Sequence, residues 1–288
     1  MTTAMTTEPT TTETNAAAPA IETSGLERRF GDLVAVDGVD LRVPRGSFYG
    51  FLGANGAGKS TTIHCLTGLL TPTRGRMRIL GLDPEREPVA VKRRVGVMPE
   101  ELALFDRLTG AETLTFVGRV HGLDPGEIES RRRELLEVMA LADDADALAG
   151  DYSHGMRKKL ALAAALLPGP ELLFLDEPFE GIDAVASRQI KGLLGSFVAG
   201  GGTVFLTSHI LEVVERLCDH IGVIHRGRLV AQGPIAELRA GGVGGDGAGV
   251  EAGAEGEGRS LEELFFELVG ADGAAAAEIS WLGGRAPR

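Results

Sequence analysis

The chain has 288 residues, 43% hydrophobic and 24% charged, with a formal net charge of −12 and two cysteines. That length holds one large α/β domain or two small ones, and the apolar content is that of an ordinary soluble globular protein. The acidity is uneven: residues 1–24 contribute −3 and residues 241–288 contribute −6, leaving −3 for residues 25–240, so no basic face of the kind that binds nucleic acid is expected.

Cys65 and Cys218 are too few for a disulfide scaffold and suit a reducing compartment. Cys218 and His220 lack the second pair that a zinc site needs. The N-terminus has no basic or apolar segment before Arg28, so no secretory signal is expected there. The longest apolar runs, 160–167 and 172–175, are split by Pro168-Gly169-Pro170 and are too short to cross a bilayer. A soluble, cytoplasmic protein is expected, and any transport role needs another chain to supply the pore.

Residues 1–24 are rich in Thr and Ala and are expected to be a disordered tail. Strands are predicted at 26–30, 39–43 and 48–52, the last running into a glycine-rich turn and a helix over 59–69. Further strands follow at 76–80 and 95–98. Residues 101–166 are helical, with helices at 111–120, 126–141 and 154–167; strands at 172–175, 204–206 and 221–224 then alternate with helices at 184–197 and 210–217. Such alternation predicts a mostly parallel sheet covered by helices, with the helical block inserted into it. Residues 241–259 read as a flexible Gly/Ala/Glu linker. Leu261, Leu264, Phe265 and Leu268 then share one face of a short helix over 260–270, expected to dock on its own domain. Residues 271–288, Trp281 included, form an uninformative tail.

Gly53, Ala54, Asn55, Gly56, Ala57, Gly58, Lys59 and Ser60, followed by Thr61, satisfy the pattern G-x-x-x-x-G-K-[ST] between an apolar strand and a helix. Glycines let the backbone curl so that its N–H groups point inward at an anion, and the helix adds its positive end. Lys59 would reach the β- and γ-phosphates of ATP, and the Ser60 hydroxyl would ligate Mg²⁺. A second half of the site is expected at a buried strand end, where four apolar residues precede Asp176 and Glu177. Asp176 is placed to hold the metal and Glu177 to act as general base on the attacking water.

Tyr152, Ser153, His154, Gly155 and Met156, ahead of the Asp176 strand, resemble the signature segment of the ATP-binding-cassette (ABC) family, usually Leu-Ser-Gly-Gly-Gln. The resemblance covers residues 26–240 and reaches the helix at 261–268. It implies a P-loop NTPase fold with a RecA-like mostly parallel core, a small antiparallel β subdomain and an inserted α-helical subdomain. It further implies that Ser153, His154, Gly155 and Met156 face the γ-phosphate held by an opposing subunit. Phe30 resembles the residue that stacks on adenine. Residues 180–183, ending in Asp183, resemble the D-loop that crosses the dimer interface; Thr207, Ser208 and His209 resemble the switch loop, with His209 on the γ-phosphate and catalytic water.

Tyr152, His154 and Met156 depart from the commonest form of the signature, and Glu100 departs from the family pattern elsewhere. Glu100 follows Pro99 where the family has Gln, and a carboxylate there is expected to keep a place at the metal; His154 replaces a glycine, with its imidazole expected to face away from the opposing site. The resemblance, closest to bacterial systems with separate ATPase and permease chains, implies an ATPase subunit that powers export through an integral membrane permease. ATP would lie between two cassettes, in a homodimer or a heterodimer, and the helical block would receive the permease. Two alternatives stay open: an ABC ATPase acting on DNA or ribosomes, against which stand the missing basic face, the lack of a coiled-coil insertion and the single cassette; and a regulatory module that binds ATP without hydrolysing it.

Overall fold

The computed structural model describes residues 18–241 and 260–270. The first strand, β1 (Ile21–Phe30), pairs antiparallel with β2 (Leu33–Val39) and β3 (Arg42–Val43) along one edge. After β4 (Phe48–Leu52) and helix α1 (Lys59–Leu66), strand β5 (Arg74–Ile79) covers the other edge of β1. These strands make the small antiparallel subdomain. Helix α2 (Pro88–Lys92) and strand β6 (Val95–Met98) return the chain to the main sheet.

The helices α3 (Gly110–Val120), α4 (Pro125–Val138) and α5 (His154–Leu166) then form one block between β6 and β7 (Leu172–Leu175). Thr109 and Glu112 cap α3 reciprocally, which fixes where the block begins. Helix α6 (Ala184–Ala199), β8 (Thr203–Ser208), α7 (Leu211–Leu217), β9 (His220–His225), β10 (Arg228–Pro234) and α8 (Ile235–Arg239) complete the alternation. The main sheet has the order β10-β9-β4-β8-β7-β6, parallel throughout except for the β9–β10 hairpin. It is the mostly parallel α/β core expected from the alternation.

Burial explains the apolar stretches at 48–52, 172–175 and 204–206: every residue of β4, β7 and β8 is buried, because helices or strands cover both faces. The period of two still divides their side chains. Phe48 and Leu52 join Leu173, Leu175, Val204 and Leu206 in the core beneath the helical block. Tyr49 and Phe51 face the opposite way and meet Phe174 and Phe205, whose ring centroids lie 5.4–5.8 Å apart around Phe205. The site-bearing ends of these strands are thereby held from both sides.

Helix α9 (Leu261–Val269) is capped by Ser260 and Glu263 and packs its expected stripe on its own domain. Leu261 and Leu264 are buried in the same core as Val214, Ile221, Ile235 and Leu238. Several boundaries differ from expectation. The N-terminal tail does not extend to residue 24, since β1 starts at Ile21, where the Ile21 and Thr23 side chains alternate inward with Glu22 facing solvent. The strand expected at 39–43 takes in only the last residue of β2, which ends at Val39, and then β3, which starts at Arg42. Residues 1–17 and 271–288 of the expected tails and residues 242–259 of the expected linker lie outside the described residues. Among the described residues no helix is long and apolar enough to cross a membrane.

Candidate functional site

The loop between β4 and α1 is shaped by approaches that only glycine permits. Gly58 precedes α1 at φ 109°, and a Cβ there would stand 2.5 Å from the Ala35 carbonyl oxygen. Gly53 is as tightly held: its Cβ would meet the Ile224 carbonyl oxygen at 2.6 Å. Strands β2 and β9 therefore press closely on the loop from behind. The expected helix over 59–69 is correct at its start and shorter at its end, stopping at Leu66.

Lys59 turns back over this loop. It is 6% exposed, and its ammonium donates to the Gly53 carbonyl at 2.8 Å and to that of Ala54 at 3.4 Å. Its third neighbour is Glu177 Oε1 at 3.4 Å, an ion contact that leaves that oxygen without a hydrogen-bond partner. The other oxygen, Oε2, lies 3.0 Å from His209 Nδ1. Glu177, 5% exposed, thus sits between the loop lysine and the histidine that follows β8.

The end of β7 is locked to the end of β8. The Thr207 hydroxyl donates to Asp176 Oδ1 in a short hydrogen bond and accepts from the Glu177 N–H at 3.0 Å. Asp176 is fully buried, and its Oδ2 has no hydrogen-bond partner. Glu177 is one of four non-glycine residues with positive φ among those described, at 47°. A left-handed glutamate persists only where its surroundings hold it. Thr207 holds its N–H. Lys158 of α5, 2% exposed, holds its carbonyl at 2.8 Å and that of Glu180 at 2.6 Å. Burial pushes the Lys158 ammonium below the usual lysine range, against the pull of Glu180, Glu177 and Glu100.

These groups open into one cleft of about 400 Å³, lined by Phe30, Leu33, Ala35, Asn55, Gly56, Gly58, Lys59, Ser60, Thr61, Glu100, Glu177, Glu180 and His209. Gly53, Ala54 and Ala57 support the loop from beneath, with Ala57 buried in the core, and Asp176 lies behind the lining. Phe30 is 44% exposed; the Arg28 guanidinium lies 4.5 Å from its ring centroid on one side. Glu100 is exposed and its Oε2 is 3.5 Å from the Ser60 hydroxyl.

Ser153, His154, Gly155, Met156 and Asp183 do not line this cleft. They cluster at the start of α5, where the Ser153 hydroxyl caps the helix by accepting from Met156 N–H. His154 is exposed and its ring faces Gly181 of its own chain: a Cβ on that glycine would stand 3.2 Å from the ring. Asp183 caps α6, and the N–H groups of Ala186 and Val185 hold its carboxyl below the usual range. Tyr152 belongs to the core: it is buried, and its hydroxyl donates to Asp144 O at 2.7 Å. Lys158, Thr207 and Glu180 were passed over as individual site residues. Thr207 and Glu180 stand inside quoted motifs, whereas nothing in the sequence marks Lys158 as buried.

A parallel sheet whose first buried strand feeds a glycine loop and Lys59, beside an acidic pair at a neighbouring strand end, defines a P-loop nucleotide-hydrolysing domain. The sequence profile of the ABC transporter family matches residues 36–180. The chain is 44% identical over 221 residues to the daunorubicin resistance ATP-binding protein DrrA3 of Streptomyces coeruleorubidus, covering 77% of this chain and 70% of that protein. It is 42% identical over 219 residues to the Nod factor export ATP-binding protein I of Cupriavidus metallidurans, covering 76% and 72% respectively. The solved structure of an ATP-binding subunit of an ABC transporter aligns with a TM-score of 0.77 at 31% identity, over 86% of this chain and 99% of that one. The chain belongs to the ABC transporter family and is one of its ATP-hydrolysing subunits.

Proposed function

We propose that this subunit works at the cytoplasmic face of a membrane, where it powers export through a separate permease by hydrolysing ATP held between its own P-loop and the signature segment of a second cassette. The observation that carries the reading is the division of the motifs. Phosphate-binding, acidic and switch residues converge on one cleft, while Ser153–Met156 stand apart at the exposed start of α5. A single chain therefore offers half of each of two sites. The two relatives named for drug resistance and for Nod factor export support the direction of transport.

In this reading Phe30 stacks on adenine with Arg28 behind it, and the loop 53–61 wraps the phosphates. Lys59 exchanges the Gly53 carbonyl and its loose contact with Glu177 for a phosphate, a stronger, charge-assisted partner. That exchange frees Glu177 to take the proton of the attacking water, while His209 fixes the carboxylate through Oε2. Glu177 works from a backbone held at both ends by Thr207 and Lys158.

The oxygen donors fit Mg²⁺. Asp176 Oδ2 is buried without a partner, and the Ser60 hydroxyl lies in the cleft with Glu100 beside it. These are the few hard donors that a nucleotide-bound Mg²⁺ takes from protein. When bound, the ion neutralises charge on the phosphate oxygens. If Glu100 keeps a place at the ion, the Glu100→Gln variant should need several-fold more Mg²⁺ for half-maximal phosphate release, since a charged ligand becomes neutral. A superimposable Mg²⁺ curve would remove Glu100 from the metal.

The helical block carries the surface we assign to the permease. Phe105, Phe116 and Val120 are exposed on it, with the two rings edge to face at 5.1 Å. Beside them a groove of about 350 Å³ runs between β6 and the helices, lined by Leu69, Val95, Val97, Val117, Ala165 and Pro168 among others. A charge placed there, in the double variant Phe116→Asp/Val120→Asp, should move most of the tagged chain from the membrane fraction of its host to the soluble fraction. Phosphate release by the purified variant reports separately on the cleft. A variant that stays with the membrane contradicts the assignment of this face.

A further inference from the structure

Lys158 has a backbone-holding contact but no place in the chemistry above, yet it is a cation withdrawn almost wholly from water. Burying an ammonium is costly unless its hydrogens are satisfied. Here two go to carbonyl oxygens of a single loop, those of Glu177 and Glu180. That loop contains Pro178, which has no N–H to offer, and is otherwise closed only by a long 3.3 Å bond from Glu180 N–H to Glu177 O. Its first residue is the left-handed Glu177. The direction in which Glu177 projects depends on its backbone, and the Lys158 ammonium grips that backbone.

The same helix touches the loop at two further levels. His154 packs beside Gly181, and a Cβ on Gly155 would lie 4.0 Å from Asp183 Oδ2. Residues 177–183 therefore ride on α5 from its first turn to its second. We propose that Lys158 is a positioning residue for Glu177, which ties the aim of this chain's general base to the placement of the helix whose start faces the opposing nucleotide. The proposal rests on the reading of Glu177 as the base. A shift of α5 when the opposing nucleotide binds is carried through the ammonium to the Glu177 carbonyl. One site thereby influences the base of the other within a single subunit, through a contact internal to the chain.

The test uses the full-length chain and follows ATP turnover and nucleotide affinity in Lys158→Met, which keeps the length of the side chain and removes its donors. The expected result is a fall in kcat of about tenfold or more with KM and nucleotide affinity within about twofold, the pattern of a group that serves only the chemical step. Lys158→Gln, a neutral donor, should recover kcat to within about threefold of the natural chain, because hydrogen bonds to carbonyls rather than charge are what the loop requires. In a Glu177→Gln background, Lys158→Met should cost less than about twofold, since residues acting through one group are not additive. A natural kcat in Lys158→Met, an unchanged kcat with raised KM, or an equal loss in the Glu177→Gln background would each overturn the proposal. If Lys158→Met does not fold, the cycle is run with Lys158→Ala, which also lacks the donors: a loss of kcat that vanishes in the Glu177→Gln background supports the proposal, and no loss, or one that persists there, overturns it. Failure of the underlying reading is distinguishable, because Glu177→Gln alone would then turn over at the natural rate.

Discussion

Glu177→Gln should slow phosphate release by roughly 10²–10⁴-fold, the usual worth of a positioned general base, while ATP stays bound. The substitution is nearly isosteric and keeps an oxygen for His209, which lies 3.0 Å from Oε2. It also leaves the carbonyl of residue 177 for Lys158 and its N–H for Thr207. What it removes is the negative charge and with it the capacity to accept a proton. Loss of charge also removes the weak claim of Glu177 on Lys59, whose ammonium is 3.4 Å from Oε1. Nucleotide affinity should therefore hold or rise, and a phosphate-release assay run beside a binding titration separates the two effects. Loss of both together would point to a collapsed loop instead of a missing base.

Lys59→Ala should act on the opposite quantity. The ammonium is the single full positive charge from the loop in the cleft, and it is almost completely shielded from solvent. Hydrogen bonds to charged groups contribute about 1.5–3 kcal/mol, so nucleotide affinity should fall roughly tenfold to a hundredfold. The variant also takes away the donor that closes the loop onto Gly53 O and Ala54 O. Part of the loss is thus loss of preorganisation. Turnover at saturating ATP should fall as well, because the same charge would stabilise the transferring phosphoryl group. Equilibrium titration with ATP measures the first effect; an affinity within twofold of the natural chain would contradict the placement of Lys59 at the phosphates.

How much of this was legible in the sequence depended on the kind of signal. Buried parallel strands announce themselves, and 95–98 and 172–175 were read to the residue because Val95–Met98 and Leu172–Leu175 are short apolar runs with abrupt ends. Strands β2 and β10 were missed although each follows a two-residue hairpin. Phe30 pairs with Leu33 across Gly31 and Asp32, and His225 pairs with Arg228 across Arg226 and Gly227. The second loop has positive φ at both residues, 48° and 81°, the geometry that suits a tight hairpin. Arg in the first position hid that signal. Both strands are half-exposed, and their short apolar stretches, Leu33–Val36 and Leu229–Ala231, are cut off by Asp37 and Gln232.

At the site, contiguous motifs were readable and long-range contacts were not. The loop 53–60 carries its own geometry in its glycines. By contrast, Lys158 meets residue 177 across 19 positions and Thr207 meets Asp176 across 31. Only the folded chain brings those together. The departures, too, make contacts outside their motifs. His154 turns toward Gly181 of its own chain, while Glu100 stands beside Ser60. Tyr152, a departure at the first signature position, fills a core space closed by Gly110, where a Cβ would stand 2.3 Å from the Tyr152 hydroxyl oxygen.

The account is tested most directly by an experimental structure of the Glu177→Gln chain with ATP and Mg²⁺. It predicts a triphosphate wrapped by residues 53–61, the Lys59 ammonium turned from the Gly53 carbonyl to a phosphate oxygen, and the ion beside Ser60 and Asp176. A nucleotide whose phosphates lie outside that loop, or an ion remote from Ser60 and Asp176, would contradict it.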